Sequence, residues 1–189
     1  MNNDGFDLGC HRGNGITRRQ ELGAGVGFVG IGSTHHGVRG DAEDAEAPPV
    51  TTIYQVAAAG KLVALTFDVE LDRGYAPAIL DTLANAGVKA SWGLTGKWAD
   101  ANGDLVARIV SDGHQLINHT YSHRSLTGAH VGSSSLTREE RLEELARTEA
   151  VLIEHGGKGA MPWFRPPFGE FDGGVLRDIA EAGFRWNVM

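Results

Sequence analysis

Hydrophobic positions fall into two textures along the chain, and the change comes at about Val50. Beyond it, short apolar runs alternate with stretches whose apolar residues recur at helical spacing. Lys61–Asp68 (Lys-Leu-Val-Ala-Leu-Thr-Phe-Asp) has the continuous character of a strand buried on both faces. Ala76–Ala86 places Ile79, Leu80, Leu83 and Ala84 on one face of a predicted helix, and Gly87 stands where a left-handed terminator belongs. Val88–Leu94 is the next predicted strand. Leu105, Val106, Ile109 and Val110 mark a helix ending at Gly113, and His114–Asn118 a third strand. Thr137 with Glu140 has the form of a capping box, opening a helix that runs to about His155 and stops at Gly156 and Gly157. Glu143 and Arg147 are spaced to pair along its wet face. Trp163–Arg165 is a fourth strand, Val175–Ala182 a helix closed by Gly183, and Phe184–Met189 a fifth strand.

Strands alternating with helices predict parallel βαβ units, hence an α/β fold. The pattern by itself leaves two forms open, a doubly wound sheet and a barrel. Met1 to Pro49 is different: Gly, Asn, Asp and Arg dominate, Val26–Ile31 is its apolar patch and Asp41–Glu46 is acidic. Such a composition buries too little to offset chain entropy, so residues 1–49 are expected to be disordered or irregular and residues 50–189 to form the domain.

A chain of 189 residues, 41% hydrophobic, has the means to build one core. Its net charge of −7 argues against a nucleic-acid or anionic-membrane surface, which needs clustered Lys and Arg. Cys10 is the single cysteine, so no internal disulfide is available. No apolar run approaches the roughly 18–20 residues of a membrane span, and the polar Met1–Asn14 does not resemble a signal peptide. No protein partner is indicated.

Three local words carry the candidate chemistry: Thr66-Phe67-Asp68-Val69-Glu70, Asn118-His119-Thr120-Tyr121-Ser122-His123 and Phe164-Arg165-Pro166-Pro167-Phe168-Gly169. Each falls at or just after the end of a predicted strand, where parallel barrels keep their active sites. A His-x-x-x-His spacing would put both rings on one face of a helical turn, close enough to share an ion. Imidazoles and a carboxylate suit Zn²⁺ or a similar divalent cation, and a second carboxylate can take a proton from water. His114 reads as a packed, hydrogen-bonded histidine, His130 and His155 as exposed, and His35 and His36 as tail residues. Trp92 and Trp98 read as core or groove wall.

The order and neighbours of these words resemble the polysaccharide deacetylase family (carbohydrate esterase family four, the NodB-homology domain), from about Val50 to Met189. Leu94-Thr-Gly-Lys-Trp98 and the stretch from Asp104 to His114 look like the family's sequence as well. The resemblance implies a distorted (β/α) barrel, here incomplete at its C-terminus. It implies a hydrolase that removes acetyl groups from N-acetylated sugars of a peptidoglycan- or chitin-like polysaccharide. The cofactor would be a divalent metal, Zn²⁺ first, with Co²⁺ or Ni²⁺ also acceptable.

By the same resemblance, Asp68 is the catalytic base, Arg165 its ionic partner, and His119 and His123 are metal ligands. Family members usually carry a second aspartate where this chain has Val69. Glu70, two residues on and back on the same side of an extended chain, is the candidate third ligand, with Asp72 as the alternative. Phe168 matches a position whose backbone N–H holds the oxyanion. Phe168, Pro167 and Trp163 are candidate walls of a sugar groove, although core packing competes for the aromatic rings. The family's later words, Asp-Trp and Leu-x-His with its general-acid histidine, have no counterpart before Met189, which suggests a C-terminally truncated chain. The alternatives are an O-acetyl esterase or small-amide hydrolase on the same scaffold, or an inactive sugar-binding remnant. The family also suggests a secreted or cell-envelope protein.

Overall fold

In the computed structural model, which describes residues 49–55 and 60–189, six short parallel strands line up side by side. In chain order the elements are β1 (Thr51–Ile53), β2 (Thr66–Val69), α1 (Ala76–Ala86), β3 (Ser91–Leu94), α2 (Gly96–Ala101), α3 (Gly103–Ser111), β4 (Gln115–Asn118), α4 (Arg138–Gly156), β5 (Trp163–Phe164), a 3-10 turn (Pro167–Gly169), α5 (Gly173–Glu181) and β6 (Trp186–Val188). The expected irregular segment, with Cys10, His35 and His36, lies outside the described residues apart from Pro49.

The helices begin and end where their local chemistry dictates. α1 stops at Gly87, whose φ of 65° and ψ of 26° let its N–H reach the Ala84 carbonyl. α4 opens with the capping box, Thr137 Oγ1 accepting the Glu140 N–H and the Glu140 carboxylate accepting the Thr137 N–H. A cap of this kind contributes about 1 kcal/mol. Glu143 and Arg147 do pair on the outer face, at 3.9 Å. The short helix α2 was not foreseen, because six residues are too few to show a helical period; its signal is the cap, Thr95 accepting the Trp98 N–H. Strand β1 was not foreseen either, being three residues long.

Sheet order is β1-β6-β5-β4-β3-β2, so the chain steps from strand to neighbouring strand and only β1 is out of sequence. Neighbouring strands lie about 4.8 Å apart, so in a flat sheet β2 and β5 would be separated by about 14 Å. Arg165, directly after β5, nevertheless touches Asp68 of β2 at 2.8 Å. The sheet is therefore curled into a partial barrel, which settles the choice against an open doubly wound sheet.

The strand expected over residues 61–68 is a correction. Only Thr66–Val69 pairs, with β3, and β2 is an edge strand rather than one buried on both faces. Leu62 and Val63 are 74% and 85% exposed, because β3 begins pairing only at Ser91, opposite Thr66. The remaining apolar residues form two packed clusters. One joins α1, α2, α3 and α4 to β3 through Leu80, Trp92, Trp98, Ile109 and Leu152. The other centres on Phe164, Phe184, Leu145 and Ile179. Trp92 and Trp98 are thus core residues, fully buried.

His114 is buried as expected, its Nδ1 accepting the Ala90 N–H, so the ring is neutral with its proton on Nε2. Burial, helped by Lys89 and Arg108, holds its pKa below the ordinary 6.5. The unfolded chain therefore binds this proton more readily, and stability present above pH 6.5 should be lost as the pH falls below it. Urea unfolding between pH 7 and pH 5 should show a shallower decline in His114→Asn than in the parent; an equal slope would mean that the imidazole protonates as easily folded as unfolded.

Candidate metal centre

Because all strands are parallel, their carboxyl ends share one rim, and the three chemical words meet there. Asp68 lies within β2 and Glu70 just beyond it, His119 directly follows β4, and Arg165 directly follows β5. Val69, between the two acids, turns the other way and packs against the apolar cluster. Its position therefore offers nothing to the rim.

The histidine pair is not on a helical turn, which corrects the expectation from spacing. Residues 119–123 form a loop in which Thr120 (φ 63°) and His123 (φ 57°) are both left-handed. Those two residues fold the chain back so that the rings meet edge to face, 4.7 Å apart, with the two Nε2 atoms at 3.1 Å. Glu70 Oε1 lies 3.3 Å from His123 Nε2 and 4.0 Å from His119 Nε2. Asp72 is not in this group; its backbone carbonyl accepts the Trp98 indole N–H at 2.6 Å.

The trio suits a divalent cation. Tetrahedral bonds of about 2.0–2.1 Å place ligand atoms about 3.3 Å from one another, close to the observed spacing. His119 Nδ1 sits 2.9 Å from the Arg165 carbonyl, which only accepts, so Nδ1 carries the proton and Nε2 keeps its lone pair for the rim. His123 has its pKa lowered, by burial first and then by His119, against the opposing pull of Glu70 and Asp68. The His123 imidazole is thus biased toward the neutral, ligating form.

Beside the trio, Arg165 Nη1 donates to Asp68 Oδ1 at 2.8 Å and to Thr66 Oγ1 at 3.4 Å, while its Nε donates to the Val188 carbonyl at 3.2 Å. Asp68 stands opposite Gly93 in the ladder. A Cβ at Gly93 would lie 2.1 Å from Asp68 Oδ1 and 3.8 Å from His119 Cγ. This glycine was missed from sequence; the available signal was a glycine inside an apolar strand.

The residues around Asp68 and the histidines enclose a cleft of about 430 Å³, completed by Pro166, Phe168 and Met189. Phe168 sits left-handed (φ 58°) in the 3-10 turn, its ring edge-on to His123 at 4.7 Å and stacked on the half-exposed His130 at 3.9 Å. Trp163 and Pro167 are not in the cleft wall. Trp163 stacks on Trp186 at 5.8 Å, and Pro167 is buried in the turn.

The family model described as polysaccharide deacetylase matches residues 55–186. A peptidoglycan-N-acetylglucosamine deacetylase of Bacillus cereus is 36% identical over 129 residues, 67% of this chain and 44% of that protein. The chain therefore spans less than half the length of that relative. Among solved structures, a family 4 carbohydrate esterase from Streptomyces lividans in complex with acetate aligns with a TM-score of 0.58 and 29% identity, over 68% of this chain and 62% of the other. A CE4 family pseudoenzyme from Bacillus anthracis aligns with a TM-score of 0.64 and 27% identity, over 74% and 46%.

The close approach of β2 and β3 predicts that Gly93→Ala forces the Asp68 carboxylate away from Arg165. Overpacking of this kind costs about 1–3 kcal/mol. The loss should appear in the urea midpoint, and a crystal structure of the variant should show the pair broken; an unchanged midpoint with the pair intact would refute the steric argument.

Proposed function

Because the chain belongs to the polysaccharide deacetylase family, we propose that it removes acetyl groups from N-acetylated sugars of a cell-wall glycan, peptidoglycan-like before chitin-like. The single observation that carries this is the convergence of Glu70, His119 and His123, ligand atoms all within 4.8 Å, beside the Asp68–Arg165 pair. The printed activity of the Bacillus cereus relative supports the choice of glycan. A cell-wall substrate in turn implies work in the cell envelope; no described helix is long and apolar enough to cross a membrane.

In this proposal Glu70, His119 and His123 hold the cation, and two imidazoles with one carboxylate make Zn²⁺ the first choice. A bound divalent cation polarises the acetyl carbonyl and lowers the pKa of water. Asp68 takes the proton from the attacking water, and Arg165, donating to it at 2.8 Å, keeps that carboxylate aimed. The Phe168 backbone N–H faces the developing oxyanion. The Phe168 ring, with Pro166 and Met189, gives the cleft an apolar side for the acetyl methyl and the sugar face. Likeness to a pseudoenzyme supports a second reading, glycan binding without turnover, which the same assays separate.

Calorimetric titration with Zn²⁺ should reveal one tight site that His119→Ala with His123→Ala abolishes. Glu70→Gln should weaken it by about tenfold or more, since losing a ligand should cost at least as much as losing a ligand's support; unchanged affinity would remove Glu70 from the site. With metal bound, acetate release from peptidoglycan and chitin oligomers should fall by about 10²–10⁴-fold in Asp68→Asn while Zn²⁺ affinity holds. Metal binding without acetate release by the parent would favour the second reading.

A further inference from the structure

Glu144, on α4, is a buried carboxylate that the proposed chemistry does not use. Its Oε2 accepts the Tyr121 N–H at 2.8 Å and the Ser122 N–H at 2.6 Å, and its Oε1 accepts the Ser122 hydroxyl at 2.6 Å. No Lys, Arg or His among the described residues pairs with it. A buried carboxylate is tolerated only where donors satisfy it, and here all of them come from two residues between His119 and His123.

That loop needs holding. Thr120 and His123 both occupy the left-handed region, unfavourable for any residue with a side chain and most of all for β-branched Thr120. The start of α2 holds one side of it, Gly96 and Lys97 donating to the Thr120 and Tyr121 carbonyls at 2.9 and 3.0 Å. Asn118 Oδ1 accepts the Thr120 N–H at 3.0 Å. The His119 N–H donates to the Leu94 carbonyl and the His123 N–H to Thr120 Oγ1, which leaves the N–H groups of Tyr121 and Ser122, and Glu144 is their acceptor.

We propose that Glu144 is a positioning residue that fixes the Tyr121–Ser122 backbone and thereby sets His123 beside His119 and Glu70 before a cation arrives. The inference rests on the metal reading of that trio, but the hold on the loop can be measured without metal. A glutamine at this position would keep the geometry: its carbonyl oxygen can take both N–H groups and its amide can donate to the Ser122 oxygen. An alanine keeps none of it. Leu152→Ala supplies the structural control, since Leu152 is a fully buried core residue on the same helix with no contact to the loop's N–H groups.

Glu144→Ala should weaken Zn²⁺ binding by about 10–100-fold, the range typical when a ligand loses its support, while Glu144→Gln retains most of the affinity. Leu152→Ala should lose stability but bind Zn²⁺ like the parent. In the metal-free protein, hydrogen exchange at the Tyr121 and Ser122 amides should be slow in the parent and in Leu152→Ala, and fast in Glu144→Ala. Should Glu144→Ala not fold, Glu144→Asp, one methylene too short to reach both residues, should show the same losses. Wild-type affinity and slow amide exchange in the Ala or Asp variant, or an equal loss of affinity in Leu152→Ala, would overturn the proposal. A parent that binds no Zn²⁺ would defeat the metal reading alone, and amide exchange would still decide what Glu144 does.

Discussion

Arg165 is the tie on which the rim depends. Its guanidinium grips Asp68 and Thr66 on β2 and the Val188 carbonyl on β6, while its own carbonyl fixes the His119 ring beyond β4. One residue thus ties together the curl of the sheet, the direction of the Asp68 carboxylate and the orientation of the His119 ring. Arg165 is only 9% exposed, so its charge is taken out of water and needs the Asp68 carboxylate as compensation. Breaking the pair would leave either partner as an uncompensated charge, which is why Asp68 and the scaffold cannot be varied independently here.

The site has two supports of different kinds. On the β2 side the constraint is steric: Gly93 leaves room for the Asp68 carboxylate, and no other side chain would. On the histidine side the constraint is hydrogen bonding, with the Thr120, Tyr121 and Ser122 N–H groups and the Thr120 and Tyr121 carbonyls of a left-handed loop taken up by α2, Asn118 or Glu144. Glu149 makes a parallel arrangement one turn on, accepting from Asn118 Nδ2 and from the Ala160 and Met161 N–H groups. α4 is therefore a wet helix with two acids turned inward, and those two acids serve the backbone rather than solvent.

Features with a local cause were legible in the sequence. The Gly87 and Gly157 stops, the Thr137–Glu140 box and the bounds of α1 follow from residues a few positions apart, and they stand where local chemistry put them. The fold family was legible through whole words rather than spacing. What the sequence hid was non-local. The His119–His123 spacing suggested a helix, but tertiary hydrogen bonds imposed a loop. Nothing near Gly93 announces that Asp68 will lie against it, nothing in Arg-Leu-Glu-Glu-Leu tells Glu144 from Glu143, and the length of β2 depends on where its partner begins. Trp163 suited both a sugar groove and a core in the sequence, and only the structure shows its stacking on Trp186.

The Asp68–Arg165 contact joins residues 97 positions apart. Closing so long a loop forfeits chain entropy that local contacts do not return, so such pairings form late in folding. During synthesis, β2, β3, β4 and the loop carrying both histidines emerge well before Arg165 does. The loop that carries the two imidazoles can therefore be held by α2 and α4 while the Asp68 carboxylate still swings free and the His119 ring still lacks the Arg165 carbonyl. Shaping of the histidine loop and fixing of the Asp68 carboxylate are separate events in the life of the chain, and the second waits for the strand that delivers the arginine.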